Sequence, residues 1–418
     1  MGVNVLKTSV VIIGAGPAGA ATSFFLSKFS IPHIVIEKEI FPRDKVCGDA
    51  CSGKTSLVIN RANPDWLKEI HANSKEFLPA LGIVFAAPNG KKIDIPFDPN
   101  RTPESKPPGF TVSRLVFDNF LFEKMVSSYC TIFQNAKVED INRIDEGVSL
   151  IMKCSGTDYQ IEAPVIVGAD GDKSLVRKNF SVSNESPKSY AVGLRGYYDG
   201  VTGFHEENFI ELHFLKEILP GYLWIFPMPN GKANVGVCAL SDVVRKKKIN
   251  LRQQMLDAIN YNPQIAPRFK NAQLIDKIKG WGLPMATERL PISGDNFLLV
   301  GDAASLVDPF SGEGIGNAMY SGMLAATALN NVLGKGDFSA GTLKREYDDV
   351  FFKRIGQELK VSAAMQRLCN YGWLFNMVVN KASKSAELRN TISSMFADID
   401  MRGQLKKPSF YFNILFNK

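Results

Sequence analysis

The sequence predicts a mixed α/β fold in which a domain of parallel strands and helices carries an inserted antiparallel sheet and is followed by a C-terminal helical region. Three observations predict this fold. The chain opens with a strand, a glycine-rich turn, a helix and a second strand; two later strands end in glycine and aspartate; and four strand-like runs separated by turn residues lie between those later strands. Because 418 residues exceed what one hydrophobic core usually covers, we expect two domains.

The composition is that of an ordinary globular protein, with 45% hydrophobic and 22% charged residues. The net charge of +7 is spread along the chain, whereas a nucleic-acid-binding protein concentrates basic residues on one element. The six cysteines and the absence of a charged leader with a cleavage site favour a reduced, cytoplasmic setting. No apolar run reaches the roughly 18 residues that span a bilayer. We therefore expect no nucleic-acid partner, and only peripheral contact with a membrane.

The opening pattern indicates a βαβ unit. It consists of "TSVVIIG" (8–14), "PAGAATSFFLSKF" (17–29) and "HIVIEK" (33–38). Similar junctions of a strand with a glycine occur in "PVIVGADG" (164–171) and "NFLLVGDAA" (296–304). Strand ends so widely separated indicate one nucleotide-binding domain assembled from discontinuous segments. Its predicted segments are 1–75, 102–175 and 285–340.

The remaining segments have a different texture. Residues 76–101 are too rich in proline for long helices, and residues 190–240 contain the four strand-like runs of an antiparallel sheet. We assign 76–101 and 176–284 to a second domain that binds the substrate. Residues 341–418 return to helical periodicity and end in the basic, aromatic segment "LKKPSFYFNILFNK".

The stretch "GAGPAG" is typical of a dinucleotide site in a Rossmann-like domain. Gly14 permits a tight turn, Gly16 lets backbone approach a pyrophosphate, and Gly19 allows close helix packing. The helix N-terminus at Pro17 and Ala18 then faces the phosphates with its positive end. A carboxylate that can accept both ribose hydroxyls closes the second strand, and a lysine follows it. These two residues, Glu37 and Lys38, complete the predicted fingerprint, which does not separate NAD from FAD.

Two later segments, "VGADGDKSLVRKNF" (167–180) and "LLVGDAASLVDPFSGEGIGNAMYSG" (298–322), resemble motifs of flavoprotein monooxygenases of the hydroxybenzoate hydroxylase type and their reductase relatives. The resemblance implies an FAD cofactor whose ribityl chain bonds Asp302. It also implies that glycines 312, 314 and 316 bring a helix N-terminus towards the pyrimidine end of the flavin, where reduced flavin carries negative charge. The cofactor residues implied by these motifs are Asp170, Gly171, Gly301, Asp302, Pro309, Gly312, Gly314 and Ile315.

The segment "VSRLVFDNFL" (112–121) is similar to the part of that family in which an arginine reaches the cofactor, so Arg114 is a candidate. The alternative is a surface ion pair with Asp118, one helical turn away.

Two further stretches resemble the geranylgeranyl reductase family, which reduces carbon–carbon double bonds in isoprenoid chains. They are "RDKVCGDACSG" (43–53) and "YLWIFP" (222–227). The resemblance implies that Cys47 and Gly48 lie beside the flavin, where the thiol of Cys47 could donate a proton or shape the substrate slot. The alternative is a small buried cysteine. Three residues separate Cys47 from Cys51, which excludes a Cys-x-x-Cys pair, and no histidine cluster accompanies them, so we expect no metal.

Tyr222, Trp224 and Phe226 alternate along one predicted strand that Pro227 closes. Because side chains of a strand alternate between its faces, the three rings should share one face. Such a face would bind an apolar chain with little directional specificity. The alternative is that this face packs as ordinary core.

The sequence thus predicts an FAD-dependent oxidoreductase that passes hydride to double bonds of an isoprenoid lipid or related apolar substrate. No second glycine-rich βαβ unit is present, so NAD(P)H or a ferredoxin would act as a transient electron donor. One alternative is a monooxygenase, either a hydroxylase or an epoxidase. Another is a flavin-dependent halogenase, whose Gly-Trp-x-Trp-x-Ile-Pro pattern differs from "GYLWIFP" at Tyr222 and Phe226. A non-enzymatic alternative is a flavin-binding scaffold held at a membrane by its basic, aromatic tail.

Overall fold

The computed structural model describes residues 4–102, 105–181 and 187–393. Its strands fall into four sheets, and most of them are short. In chain order they are β1 (Asn4–Lys7), β2 (Val10–Ile13), β3 (His33–Ile36), β4 (Ala50–Cys51), β5 (Leu78–Ala80), β6 (Gly82–Ala86), β7 (Lys92–Pro96), β8 (Gly109–Thr111), β9 (Cys130–Phe133), β10 (Ala136–Ile144), β11 (Gly147–Cys154), β12 (Thr157–Ala163), β13 (Ile166–Gly168), β14 (Tyr190–Asp199), β15 (Ile210–His213), β16 (Tyr222–Pro227), β17 (Ala233–Leu240), β18 (Gln273–Leu274), β19 (Lys279–Pro284), β20 (Ser293–Gly294) and β21 (Phe297–Leu299).

The helices lie mainly at the two ends of the chain. In chain order they are α1 (Pro17–Lys28), α2 (Gly53–Ala62), α3 (Pro64–Ala72), α4 (Arg114–Lys124), α5 (Leu175–Phe180), α6 (Ser241–Lys247), α7 (Leu251–Tyr261), α8 (Ile315–Leu333), α9 (Ala340–Leu343), α10 (Asp349–Leu368), α11 (Gly372–Ala382) and α12 (Ala386–Ser393). A π-helical turn, Lys344–Asp348, joins α9 to α10. The predicted tail beyond residue 393 lies outside the described residues.

The parallel sheet has the strand order β20-β21-β13-β2-β3-β9, and β20 is its antiparallel edge. The predicted strand, helix and strand of the opening βαβ unit are β2, α1 and β3. Strands β2, β13 and β21, which are far apart in the sequence, are adjacent here and end at the same edge of the sheet. Since ligands bind at the carboxyl ends of parallel strands in such sheets, this edge is where a cofactor is expected.

The larger sheet has the strand order β18-β14-β17-β16-β15-β6-β7, and β19 also pairs with β14. It contains the four strands predicted between residues 190 and 240. The proline-rich segment adds the hairpin β6–β7, with Pro88 in its turn and Pro96 at its end, where proline does not interrupt the ladder. Strand β6 pairs parallel to β15, which differs from the purely antiparallel sheet that was expected.

Two small sheets were not anticipated from the sequence. Strands β1-β12-β11-β10 form a four-stranded sheet, and β4-β8-β5 form a three-stranded one. The hairpin β10–β11 has a bulge between Val138 and Asp140, which breaks the simple alternation that identifies a strand in sequence. Strand β4 has only two residues, too few for any periodicity.

A buried ion pair fixes β15 in the larger sheet. Glu211 accepts two hydrogen bonds from the guanidinium of Arg268, at 2.6 and 2.7 Å, and its carboxylate lies 3.0 Å from Nε2 of His213. Burial raises the pKa of Glu211, but the hydrogen bonds and charges of His213 and Arg268 outweigh burial and lower it to about 2. Leu212, between them, points to the opposite face, towards the cavity described below.

Replacing Arg268 should therefore destabilise the fold. We expect Arg268→Met to lower the free energy of unfolding by about 3–5 kcal/mol, because it leaves a buried carboxylate without its partner. Urea denaturation would measure this loss, and the exposed Lys270→Met should change it by less than about 0.5 kcal/mol. The double variant Glu211→Gln with Arg268→Met should recover part of the loss.

The same pair predicts how stability depends on pH. Because the pKa of Glu211 is lower in the folded state than its ordinary 4.5, its contribution is present above pH 4.5 and disappears as the pH falls towards about 2. Glu211→Gln should lack this acid-dependent component. An unchanged acid profile in that variant would show that the ion pair contributes no stability.

Candidate active site

A large cavity lies between the carboxyl edge of the parallel sheet and one face of the larger sheet. Including its mouth, it encloses about 1680 Å³ of empty space. It is surrounded by segment 45–53, by the N-termini of α1 and α8, and by the inward faces of β14, β15 and β16. Most of its lining is apolar, and its charged lining residues are Lys45, Asp49, Arg114, Arg195, Asp302 and Glu313.

The N-terminus of α1 opens onto this cavity. Gly14 has a φ of +99°, and a Cβ on it would lie 2.4 Å from the carbonyl oxygen of Ala169. A Cβ on Gly19 would lie 1.9 Å from the oxygen of Gly14. At Gly16 the nearest neighbour of such a Cβ is the guanidinium of Arg43, at 3.6 Å, and no side chain caps the helix. Free backbone N–H groups and the helix dipole therefore face open space, which suits a phosphate.

The N-terminus of α8 faces the same cavity. Gly314 precedes this helix without a side-chain cap, and Gly314 and Ile315 both line the cavity. A carboxylate oxygen of Asp302 lies 3.7 Å from the Cβ position of Gly314, and the Nζ of Lys45 lies 3.5 Å from that carboxylate. Two uncapped helix N-termini beside one long cavity fit a ligand with negative charge at two separated places. The residues present thus fit an FAD: the N-terminus of α1 would hold its pyrophosphate, and that of α8 would stabilise negative charge on the flavin.

Most of the predicted site residues come together here. Those that line the cavity are Gly16, Pro17, Ala18, Cys47, Gly48, Arg114, Gly171, Tyr222, Trp224, Phe226, Asp302, Gly312, Gly314 and Ile315.

The other predicted site residues do not line the cavity. Gly14 and Gly19 shape the turn behind it, and Gly301, whose φ is +60°, lies after β21, where a Cβ on it would come within 3.1 Å of the Cβ of Ala18. Asp170 accepts a hydrogen bond at 2.6 Å from the backbone N–H of Leu175, the first residue of α5, whose N-cap is Ser174. The remaining positions are Glu37, Lys38, Pro227 and Pro309.

The side chain of Glu37 is buried and accepts hydrogen bonds from the backbone N–H groups of Ala15, at 2.8 Å, and Glu39, at 3.0 Å. Lys38 is exposed and lies two residues after Ile36, the last residue of β3. Pro309 is buried, and its carbonyl accepts a hydrogen bond from Gln366 of α10 at 2.6 Å. Pro227 ends β16, where its carbonyl accepts a hydrogen bond from Thr111 at 2.6 Å. These contacts support the walls of the cavity from behind.

Tyr222, Trp224 and Phe226 form an aromatic wall on one face of β16, with ring centroids 6.4 and 6.2 Å apart. The wall is also packed from the side, since Tyr222 contacts Phe214 and its hydroxyl donates to the carbonyl of Ser311 at 2.6 Å. The indole of Trp224 lies over Gly236 of β17, where a Cβ would come within 2.1 Å of the ring. The three rings therefore both pack as core and line the cavity.

Segment 45–53 brings Gly48 against this wall, and Cys47 precedes it and also lines the cavity. A Cβ on Gly48 would lie 3.0 Å from the ring of Phe226 and 3.7 Å from Nε1 of Trp224. Burial raises the pKa of the Cys47 thiol, and the positive charge of Arg114 lowers it in part, so the thiol keeps its proton at neutral pH. Arg114 also hydrogen-bonds the thiol, and this bond would stabilise a thiolate.

The ion pair between Arg114 and Asp118 forms, but it is not on the surface. Nε and Nη2 of Arg114 donate to the carboxylate at 2.5 and 2.7 Å, and Arg43 donates to it as well. Arg114 is 4% exposed and Asp118 is fully buried. Arg114 thus makes the ion pair of the alternative interpretation and still lines the cavity.

A polar network next to Cys47 was missed by the sequence reasoning. Asp49 is fully buried, and Oδ2 of its carboxylate accepts hydrogen bonds from the hydroxyl of Tyr197 and from Nδ2 of Asn234. Arg195 is also fully buried and stacks on the ring of Tyr197, with Cζ 4.1 Å from its centroid. The one sequence feature that pointed to Asp49 is its position within "CGDACSG", the stretch that resembles geranylgeranyl reductases.

No helix among the described residues is long and apolar enough to cross a membrane.

The FAD binding domain family matches residues 68–345, more than half of the chain. The chain is 28% identical over 366 residues to a digeranylgeranylglycerophospholipid reductase of Methanococcus vannielii, covering 86% of this chain and 87% of that protein. It is 27% identical over 339 residues to a menaquinone reductase of Mycobacterium tuberculosis, covering 78% and 77%.

Among solved structures, a geranylgeranyl bacteriochlorophyll reductase-like protein from Thermoplasma acidophilum superposes with a TM-score of 0.79 at 19% identity, over 96% of this chain and 99% of that one. A flavin-dependent brominase superposes with a TM-score of 0.76 at 21% identity, over 94% and 93%. These likenesses confirm the predicted fold. The chain therefore belongs to the FAD binding domain family and is an FAD-dependent oxidoreductase that resembles geranylgeranyl reductases.

Proposed function

We propose that this protein reduces carbon–carbon double bonds in the isoprenoid chain of a polyprenyl lipid. The observation that carries the proposal is the aromatic wall of Tyr222, Trp224 and Phe226, which stands directly against Gly48, the chain neighbour of Cys47, in the cavity that fits FAD. An isoprenoid offers only apolar surface, so a continuous apolar wall is what can hold its double bond in place. The names of the relatives, a digeranylgeranylglycerophospholipid reductase and a menaquinone reductase, support a polyprenyl substrate.

Bound FAD, once reduced, supplies the hydride that an alkene accepts. The chain's own residues do the rest. Gly16 and Gly314 leave helix N-termini open to the cofactor, and the aromatic wall excludes water and aligns the substrate. The thiol of Cys47 holds the proton that the second carbon needs, and Arg114 stabilises the sulfur once that proton has left.

We further propose that the flavin is reduced by an external donor, either NAD(P)H or a ferredoxin. The sequence has one glycine-rich βαβ unit, which the FAD would occupy, so a nicotinamide would dock only transiently.

We also propose peripheral membrane contact through Lys406, Lys407, Phe410, Tyr411, Phe412 and Phe416, which lie outside the described residues. A lipid substrate gives such contact a purpose.

A direct test separates the reductase from a monooxygenase or a halogenase. The protein is reduced chemically without oxygen, a geranylgeranyl lipid is added, and flavin absorbance and product mass are followed. We expect the flavin to reoxidise while the lipid gains one pair of hydrogens for each reduced bond. A flavin that stays reduced until oxygen is admitted, followed by a hydroxylated or halogenated product, would exclude the reductase.

Replacing Cys47 tests the proton donor. We expect Cys47→Ala to retain FAD and to slow alkene reduction by about 10²-fold or more, the usual contribution of a positioned acid. Single-turnover reoxidation of the flavin would measure the change. Cys154→Ala, on β11 and outside the cavity, is the matched control and should react as the wild type does. Equal rates in the two variants would remove Cys47 from the mechanism.

Replacing Trp224 tests the wall. Trp224→Ala should weaken binding of the apolar substrate by about 1.5–3 kcal/mol, roughly 10- to 150-fold in Kd, and leave the flavin spectrum unchanged. Trp373→Ala removes an aromatic ring that is 69% exposed and outside the cavity, and it should bind substrate normally. If Trp224→Ala unfolds instead, or binds substrate as tightly as Trp373→Ala, the wall serves packing alone.

A further inference from the structure

A carboxyl group stands next to Cys47 in the wall of the cavity and has no part in the function proposed above. Asp49 is fully buried and lines the cavity. Both hydrogen bonds that reach its carboxylate, from Tyr197 and Asn234, end on Oδ2. Oδ1 is buried and has no partner among the described residues. Because an ionised oxygen buried without a donor is costly, Oδ1 is the natural place for a proton.

The position of Asp49 relative to Cys47 is fixed by several contacts. The amide of Asn234 donates both to Oδ2 of Asp49, at 2.9 Å, and to the carbonyl of Cys47, at 2.8 Å. The oxygen of the same amide accepts from Nε1 of Trp224 at 2.8 Å, which ties this pair to the aromatic wall. Asp49 has a φ of +67°, an uncommon backbone state for a residue other than glycine. Such conformations persist where the surroundings enforce them, and functional sites are common among these places.

The groups around Asp49 balance its two protonation states. Burial raises its pKa to about 7, against the lowering effect of hydrogen bonds from Tyr197 and Asn234 and of the charges of Arg195 and Arg114. Near neutral pH the carboxyl can therefore both hold and release a proton. The titratable and charged groups that face it from the neighbouring elements are Arg195 and Tyr197 of β14, Arg114 of α4, and Cys47 and Cys51 of its own segment.

Saturation of a double bond adds one hydride and one proton. When Cys47 gives up this proton it becomes a thiolate, which must be protonated again before the next turnover. We propose, resting on the function proposed above, that Asp49 is the internal proton reservoir that returns this proton to Cys47. The O–H bond at Asp49 breaks, the S–H bond at Cys47 forms again, and the carboxylate then takes a proton from solvent. Asp49 acts through Cys47: it supplies the proton to the sulfur and does not touch the substrate.

This role predicts a difference between the first turnover and later ones. The first turnover uses the proton that Cys47 already carries, and each later turnover needs Asp49. In Asp49→Asn we expect the single-turnover rate of flavin reoxidation by a geranylgeranyl lipid to stay within about twofold of wild type. Steady-state reduction with excess dithionite should fall by about tenfold or more. If Asp49 had only a structural role, Asp49→Asn would slow both the single-turnover and the steady-state rate, or neither of them.

The pH profile gives a second reading. Wild-type steady-state turnover should fall as the pH rises through about 7, where Asp49 loses its proton. This fall should be absent in Asp49→Asn. In Tyr197→Phe it should move to higher pH, because a hydrogen bond that lowers the pKa of Asp49 is gone. Asp348→Asn removes a buried carboxyl that bonds Ser293 outside the cavity, and it should keep the wild-type profile.

A third reading does not depend on turnover. Infrared difference spectra of wild type against Asp49→Asn should show a carboxyl C=O band that disappears as the pH rises through about 7. In Tyr197→Phe the same band should disappear at a higher pH. Absence of that band below neutral pH would overturn the inference, as would a wild-type pH profile in Asp49→Asn or an unshifted one in Tyr197→Phe. If the wild type reduces no isoprenoid while the band is present, the proposed function is lost and this inference with it. If Asp49→Asn does not fold, the shift in Tyr197→Phe decides.

Discussion

The direct packing of α1 against α8 is the contact on which the rest of the site depends. A Cβ on Gly322 of α8 would lie 2.4 Å from the carbonyl oxygen of Ala18 in α1, so no side chain separates the two helices at this point. The contact holds both helix N-termini at the edge of the parallel sheet, where their partial positive charges point into one cavity. An extended anionic cofactor can then be held at two places by backbone alone. The side chains around it remain available to shape the space for a substrate.

The larger sheet supplies that shape by placing residues of different strands in rows. Phe226 of β16 is opposite Asn234 of β17, which is opposite Tyr197 of β14. The next row joins Trp224 to Arg195 across Gly236, whose missing side chain leaves room for the indole ring. One face of a single sheet therefore changes from aromatic to polar within three strands. A substrate on this face would have its apolar part on β16 and a polar network within reach on β14.

Much of this arrangement could be predicted from local patterns. The turn at Gly14 and the shared face of Tyr222 and Trp224 follow from glycine geometry and from the two-residue period of a strand. The network at Asp49 could not be predicted, because it depends on the register between β14 and β17 and on a loop that folds over them. Register is a property of the pairing and not of either strand. Arg114 shows the same limit, since sequence spacing gave its partner Asp118 but not the burial of the pair.

Side chains alternate between the two faces of β15, and this alternation also determines which residues line the cavity. Glu211 and His213 lie in a charged cluster with Arg268 on one side of the strand, while Leu212 faces the cavity on the other. A shift in the register of β15 by one residue would exchange these two faces and place the carboxylate of Glu211 in the cavity. The ion pair between Glu211 and Arg268, on the far side of β15, thus helps to hold the register of this strand in the sheet. Residues outside the cavity, which no ligand in it would contact, therefore decide which side chains of β15 line it.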